Sequence, residues 1–360
     1  MSDFQAFRGR ALSQSLAERL RILVDRPLRF MEVCGTHTVS VFHYGLRSLF
    51  PEALKLISGP GCPVCVTAQG EIDAFVELCG RPHVTVATFG DLVRVPGSRG
   101  SLATARAEGA SVEVVYSPMD AVRLAEDRRE ELVVFLAVGF ETTVPGVAAT
   151  VREAKRLDLS NFAVYAAHKT MPKALEALFS DPELGVDGLL CPGHVSTIIG
   201  AGAFEPLAKK HGIPCVVAGF EPADIISALV LLTRQAIDGR AEVENAYPRA
   251  VSWEGNRQAM RIVSEVFRPA DAVWRGLGTI PGSGLVLRHE FGEFDAAKRL
   301  AIEAAPSLEP RGCLCGRILR GQNLPPDCPF FAGSCTPLNP VGPCMVSTEG
   351  TCAAYYRYGR

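Results

Sequence analysis

Strong net charge, membrane-length apolar runs and the common nucleotide or serine-hydrolase motifs are all missing from this chain. The formal net charge is −2, so nothing pulls it over distance toward nucleic acid or acidic lipid. Its most apolar short run, residues 225–232, is far shorter than a bilayer-spanning segment and is flanked by Asp224 and Arg234. Residues 1–10 carry charges and lack the apolar core of a secretory signal. The expected location is the cytoplasm, with no membrane and no nucleic-acid partner. There is no Gly-x-Ser-x-Gly and no P-loop. Gly59-Pro60-Gly61 and Gly282-Ser283-Gly284 lack the remaining glycines of a dinucleotide fingerprint, which excludes nucleotide binding at those loops.

What the chain has is thiol. Six of its 12 cysteines lie in the last 48 residues, as C-x-C-x12-C-x6-C-x8-C-x7-C from Cys313 through Cys315, Cys328, Cys335 and Cys344 to Cys352. Six prolines share that tail (Pro325, Pro326, Pro329, Pro337, Pro340, Pro343), so little of it can be regular helix or central strand. Such a loop needs covalent or metal staples. Disulfides are rare in a reducing compartment unless catalytic or redox-sensing, which points to metal ligation or thiol chemistry. Four thiolates suit an iron–sulfur cluster or a zinc, and two are left over. Zinc sites favour paired C-x2–4-C knuckles, so these spacings suit a loop-wrapped cluster better; zinc and two or three disulfides remain the competing readings. Arg311, Arg317, Arg320 and Arg357 stand near the cysteines, to offset cluster charge or simply to be solvated.

With 360 residues and 48% hydrophobic content, the chain can build two or three domains. Residues 11–24 carry Leu12, Leu16, Leu20 and Leu23 at helical spacing. Strands are expected at 28–33, 54–57, 83–89, 112–116, 132–138, 162–167, 188–190 and 214–218, with helices between them, such as 71–79. Continuous apolar strands such as VVFLAVGF suit parallel sheets covered on both faces. LISGPGCPVC followed by HVTVATFGD echoes LLCPGHVS followed by IPCVVAGFEPAD. This predicts two similar Rossmann-like α/β domains facing a cleft, each offering a Pro-Gly loop. The expected boundaries are 28–130 and 131–240, with a smaller C-terminal iron–sulfur domain over 241–360. Helix 1–27 is expected to pack on that last domain.

Several residues could do chemistry. Cys34 ends a strand in EVCGTHT, with His37 three residues on; the pair is either a metal-site motif or a nucleophile–base pair for acyl or carbamoyl transfer. Cys62 and Cys65 form a C-x-x-C at another strand mouth, which can cycle between dithiol and disulfide or bind a soft metal. Buried, inert thiols in a tight loop are the bland reading. His194 occupies the position in the second echo that Cys62 occupies in the first, and His168 ends a strand beside Lys169; both are cleft candidates. Cys79, Cys191 and Cys215 read as core. His43, His83, His211 and His289 have no special context.

Taken together, EVCGTHT, SGPGCPVC, GFETTVPG, CPGHVSTIIG, AGFEPADI and the tail CLCGRILRG…CPFF…C…NPVGPCMVSTEGTCAAYY resemble the HypD family of [NiFe]-hydrogenase maturation from about residue 28 onward. The resemblance implies a scaffold with redox chemistry rather than a conventional turnover enzyme. Such a scaffold holds an iron atom with a HypC-type chaperone while the Fe(CN)2CO group is assembled. Cyanide arrives from HypE, with HypF upstream, and the product passes toward the hydrogenase large-subunit precursor. It further implies Cys34 as iron ligand with His37 in the same motif, and Cys62 and Cys65 as a nearby redox pair. Cys313, Cys328, Cys335 and Cys352 would hold a [4Fe–4S] cluster, and Cys315 and Cys344 would form an adjacent disulfide. An iron–sulfur thiol–disulfide oxidoreductase is the alternative function, and a zinc-stabilised interaction protein is another.

Overall fold

The computed structural model describes residues 7–306 and 309–359. The chain opens one parallel sheet with β1 (Leu28–Glu32) and β2 (Leu54–Ser58), then leaves to build a second from β3 (Val84–Thr88), β4 (Val112–Val114), β5 (Leu132–Ala137) and β6 (Phe162–Ala166). It returns to the first sheet with β7 (Gly188–Pro192), β8 (Cys215–Ala218) and β9 (Val243–Asn245). The strand orders are β2-β1-β7-β8-β9 and β4-β3-β5-β6, with every pairing parallel.

Alternation along each strand sorts side chains between layers. In β1, Phe30 packs with the core under helices Arg10–Leu23 and Pro222–Asp238, while the next residue, Met31, enters a core shared by both sheets. In β5, Val134 and Leu136 face that shared core, and Val133 and Phe135 face helices Pro118–Asp127 and Val144–Arg156. Each such side chain contributes roughly 1.5–3 kcal/mol on burial. Helix Pro222–Asp238 begins with a proline whose missing N–H costs nothing there. Asp224 accepts the Glu221 N–H at 3.3 Å, and Gly239 ends the helix at φ 63°. Among the described residues, no helix is long and apolar enough to cross a membrane.

The α/β class with parallel sheets is as expected, but the sheets do not follow the contiguous division. The 130/131 boundary falls between β4 and β5, which both pair with β3. β9 lies beyond residue 240 and still pairs with β8. Both Pro-Gly loops follow strands of the same sheet, β2 and β7, but the first leads on to β3 of the second sheet and the other to β8 of the first. Helix Arg10–Leu23 buries Ala17 and Leu20 against the first sheet and helix Pro222–Asp238, not against the cysteine tail. Strand pairing follows matched apolar faces and right-handed crossovers, which sequence order does not reveal.

An antiparallel hairpin, β10 (Phe267–Trp274) and β11 (Gly278–Leu287), was unexpected. Pro269 and a bulge between Ala270 and Ala272 obscure its alternation. Gly276 and Gly278 at φ 77° and 76° make its turn. With helix Arg257–Val266 it packs on the second sheet's helices.

Candidate functional site

In the first sheet the strand order reverses between β1 and β7, and parallel α/β sheets place ligands at the C-terminal ends of such strands. Cys34 follows β1 there as the N-cap of helix Gly35–His43. The loop after β2 lies against it, with the Gly35 N–H donating to Gly61 O at 3.0 Å. A Cβ on Gly61 would collide with the backbone of Val33 and Cys34, and one on Gly35 with the backbone of Glu349. Both glycines are therefore fixed by close approach.

The floor beneath Cys34 is polar and satisfied. Glu32 accepts the Cys34 N–H at 3.0 Å through one carboxylate oxygen and the Thr38 hydroxyl through the other. Burial nevertheless pushes its carboxyl up to about 7. Burial, then the Glu349 and Glu32 carboxylates, push the Cys34 thiol up to about 12. Cys34 is thus a neutral thiol until a cation displaces its proton. His37 is fully buried. Its Nε2 lies 3.0 Å from Gly219 O and 3.3 Å from Ala218 O, which puts the ring proton on that nitrogen. Nδ1 has no partner, and burial lowers the imidazole to about 4. Among the described residues, no hydrogen bond joins that ring to Cys34 Sγ, so the nucleophile–base pair is not formed.

Above Cys34, the Thr36 hydroxyl donates to Glu349 Oε1 at 2.6 Å and lies 3.5 Å from His194 Nδ1. His194 stacks on Phe220 with ring centroids 4.0 Å apart. His194 therefore joins the Cys34 site. His168 does not: it sits beyond β6 in the second sheet, its edge toward Phe267. It is 1% exposed, neither ring nitrogen has a partner, and burial lowers it to about 3. Sequence reading missed Glu32, Thr36, Glu349 and Phe220. Glu32 and Thr36 lie in EVCGTHT beside Cys34 and His37, which was the available signal; Phe220 and Glu349 have no such neighbour in the sequence.

Cys62 and Cys65 are bonded across the one-turn helix Pro63–Val66, with Cα atoms 5.2 Å apart. The turn Pro343–Val346, which carries Cys344, packs on that helix. Cys344 Sγ lies 2.7 Å from Cys315 Sγ. That contact, reinforced by the Arg275 charge, lowers the Cys315 thiol, while Cys344 is raised by the same contact, by Cys352 and by burial. Arg275 is buried and donates to Thr67 O and Gln69 Oε1, both at 3.1 Å. Cys79, Cys191 and Cys215 are buried in the shared core.

All six tail cysteines line one cavity with Ile318, Phe331 and Met345. Burial pushes Cys313 up to about 12. Among the described residues, no group of three or more His, Cys, Asp or Glu side chains is gathered to hold a metal ion. The donor set still fits an iron–sulfur group in kind, since soft thiols line one apolar-walled space.

The HypD family model, described as "Hydrogenase formation hypA family", matches residues 10–359. The chain is 48% identical to the hydrogenase maturation factor HypD of Azotobacter vinelandii, over 100% of this chain and 97% of the relative. The hydrogenase expression/formation protein HupD of Azotobacter chroococcum is equally similar, at 48% with the same coverage. HypD of Cupriavidus necator is 45% identical, over 100% of this chain and 98% of the relative. On a family match over nearly its whole length and relatives aligned end to end, the chain belongs to the HypD family.

Proposed function

We propose that this protein is a hydrogenase maturation scaffold that holds one iron atom while the Fe(CN)2CO group of a [NiFe] hydrogenase is built on it. The observation that carries the reading is Cys34, a free, buried thiol at the strand-order reversal of a parallel sheet. A soft thiolate suits an electron-rich, low-spin iron. A single one leaves positions open for incoming ligands and for a cysteine of a HypC-type chaperone. Cyanide would come from HypE, supplied by HypF, and the finished group would pass toward the large-subunit precursor.

Cys313, Cys328, Cys335 and Cys352 are the proposed ligands of a [4Fe–4S] cluster, which supplies one-electron chemistry when bound. Cys315 and Cys344 act as a dithiol. Exchange with the Cys62–Cys65 disulfide moves two electrons and two protons to Cys62 and Cys65 and leaves Cys315–Cys344 oxidised. Two thiols are then free in the loop beside Cys34. Glu32 holds the Cys34 turn, His37 ties its helix to the end of β8, and Glu349 brings the tail to Thr36.

The second reading, a thiol–disulfide oxidoreductase, is favoured by the Cys62–Cys65 bond beside the Cys315/Cys344 pair. Infrared spectra of the anaerobic complex with its HypC-type partner separate the two. Cyanide and carbonyl bands belong to the scaffold reading, and their absence from a complex that still reduces a protein disulfide belongs to the oxidoreductase.

A further inference from the structure

The second sheet also reverses its strand order, between β3 and β5, and no function is assigned to that place. Glu141 follows β5 there, in GFETTVPG. It is 6% exposed and lines a cavity of about 470 Å³, a size that accommodates a small organic molecule. The walls are mostly apolar, from Ile199, Met260, Val263, Phe267 and Leu285, and are joined by Lys173, paired with Glu176, and Arg288, which donates to Ser264 O. One carboxylate oxygen, Oε1, accepts the Met171 N–H at 2.9 Å. The other, Oε2, is shielded from solvent and has no hydrogen-bond partner, a costly state for a buried acceptor.

We propose that this cavity is a second ligand site, independent of Cys34, for a small molecule with an apolar body and an N–H donor head that Glu141 Oε2 receives. A helix cap alone explains Oε1 and leaves Oε2 and the cavity unexplained. Burial pushes the carboxyl up to about 7, so it is poised between a charged acceptor and a neutral one near physiological pH. Two sources share the N–H chemistry, an uncharged amide and an ammonium.

The test uses full-length protein with 13C-methyl methionine, following Met260, which is 39% exposed at the cavity. Benzamide, benzylamine and benzoate are titrated at pH 8. The proposal expects benzamide or benzylamine to shift the Met260 methyl saturably and benzoate to leave it in place. Benzamide alone identifies an amide site, and benzylamine alone a cation site. Glu141→Gln should weaken the bound probe by about tenfold or more. Met260→Trp, which fills the opening from an exposed position, should abolish calorimetric binding and decides the matter if Glu141→Gln does not fold. No saturable shift with either N–H probe overturns the proposal. So does benzoate binding as well as they do, or affinity unchanged in both variants.

Discussion

The C-terminal edges of the two sheets each carry one buried glutamate raised to about 7 and one buried histidine lowered to 4 or below. At the first edge these groups are mostly bonded: Glu32 receives two donors, and His37 donates its Nε2–H to the β8 end, leaving only Nδ1 without a partner. At the second, Glu141 Oε2 and both nitrogens of His168 are without partners. Burial alone explains why both histidines are uncharged near neutrality and both glutamates are poised between their charged and neutral forms. Hydrogen bonding explains the rest. The first edge is locked in place around Cys34, whereas the second is left with capacity to spare.

The largest expected effect extends the comparison to the tail, which reaches the first edge through Glu349. Cys313→Ala should lose nearly all cluster iron in anaerobically purified protein, judged by iron-to-protein ratio and visible absorption, while Cys315→Ala retains it. Loss in both would mean that the six cysteines are divided wrongly.

Next comes the rigidity of the first edge. Gly61→Val places carbon against the backbone of Val33 and Cys34 and should cost about 4 kcal/mol or more in urea denaturation. Gly146→Ala, in open space on the second sheet's helix, should be neutral or stabilising by up to about 1 kcal/mol. Similar losses in both would remove the contrast.

The unsatisfied pair at the second edge gives opposing pH slopes. His168, at about 3 when folded against an ordinary 6.5, contributes stability above pH 6.5 that is lost as pH falls. Glu141, at about 7 against 4.5, contributes stability below pH 4.5 that is lost as pH rises through 7. From pH 4.5 to 6.5 the two offset. His168→Leu should make stability fall by about 2 kcal/mol across that window, and Glu141→Gln should make it rise by as much. Parallel slopes for the two variants would contradict the assignment. Smallest is Thr36→Val, which removes the donor to Glu349 and should cost about 1 kcal/mol, measured by urea denaturation. No change would show that the tail docks without it.

Strands such as β5 and β8 were legible because parallel strands buried on both faces read as unbroken apolar stretches, whereas β1, β2 and β4 are interrupted by Arg29, Lys55 and Glu113. β9 was not legible, since three half-buried residues, Val243–Asn245, carry no period. The order of strands across the sheets was also hidden, because pairing partners can lie far apart in the chain, as for Phe30 and Gly188. At the site, Cys34, Cys62 and Cys65 announced themselves by residue type beside Gly and Pro. Glu349 did not: a single carboxylate between cysteines 344 and 352 gains meaning only when the tail folds back onto Thr36.

The central claim is that Cys34 is the thiolate that binds the iron under construction. Cys34→Ser replaces it with a harder and far less acidic ligand while leaving the Glu32–Thr38 and His37–Gly219 contacts intact. In the complex with the HypC-type partner, the infrared bands of iron-bound cyanide and carbon monoxide should vanish from a folded Cys34→Ser protein and persist in the parent. Unchanged bands in that variant would contradict the account and move the iron to Cys62 or Cys65.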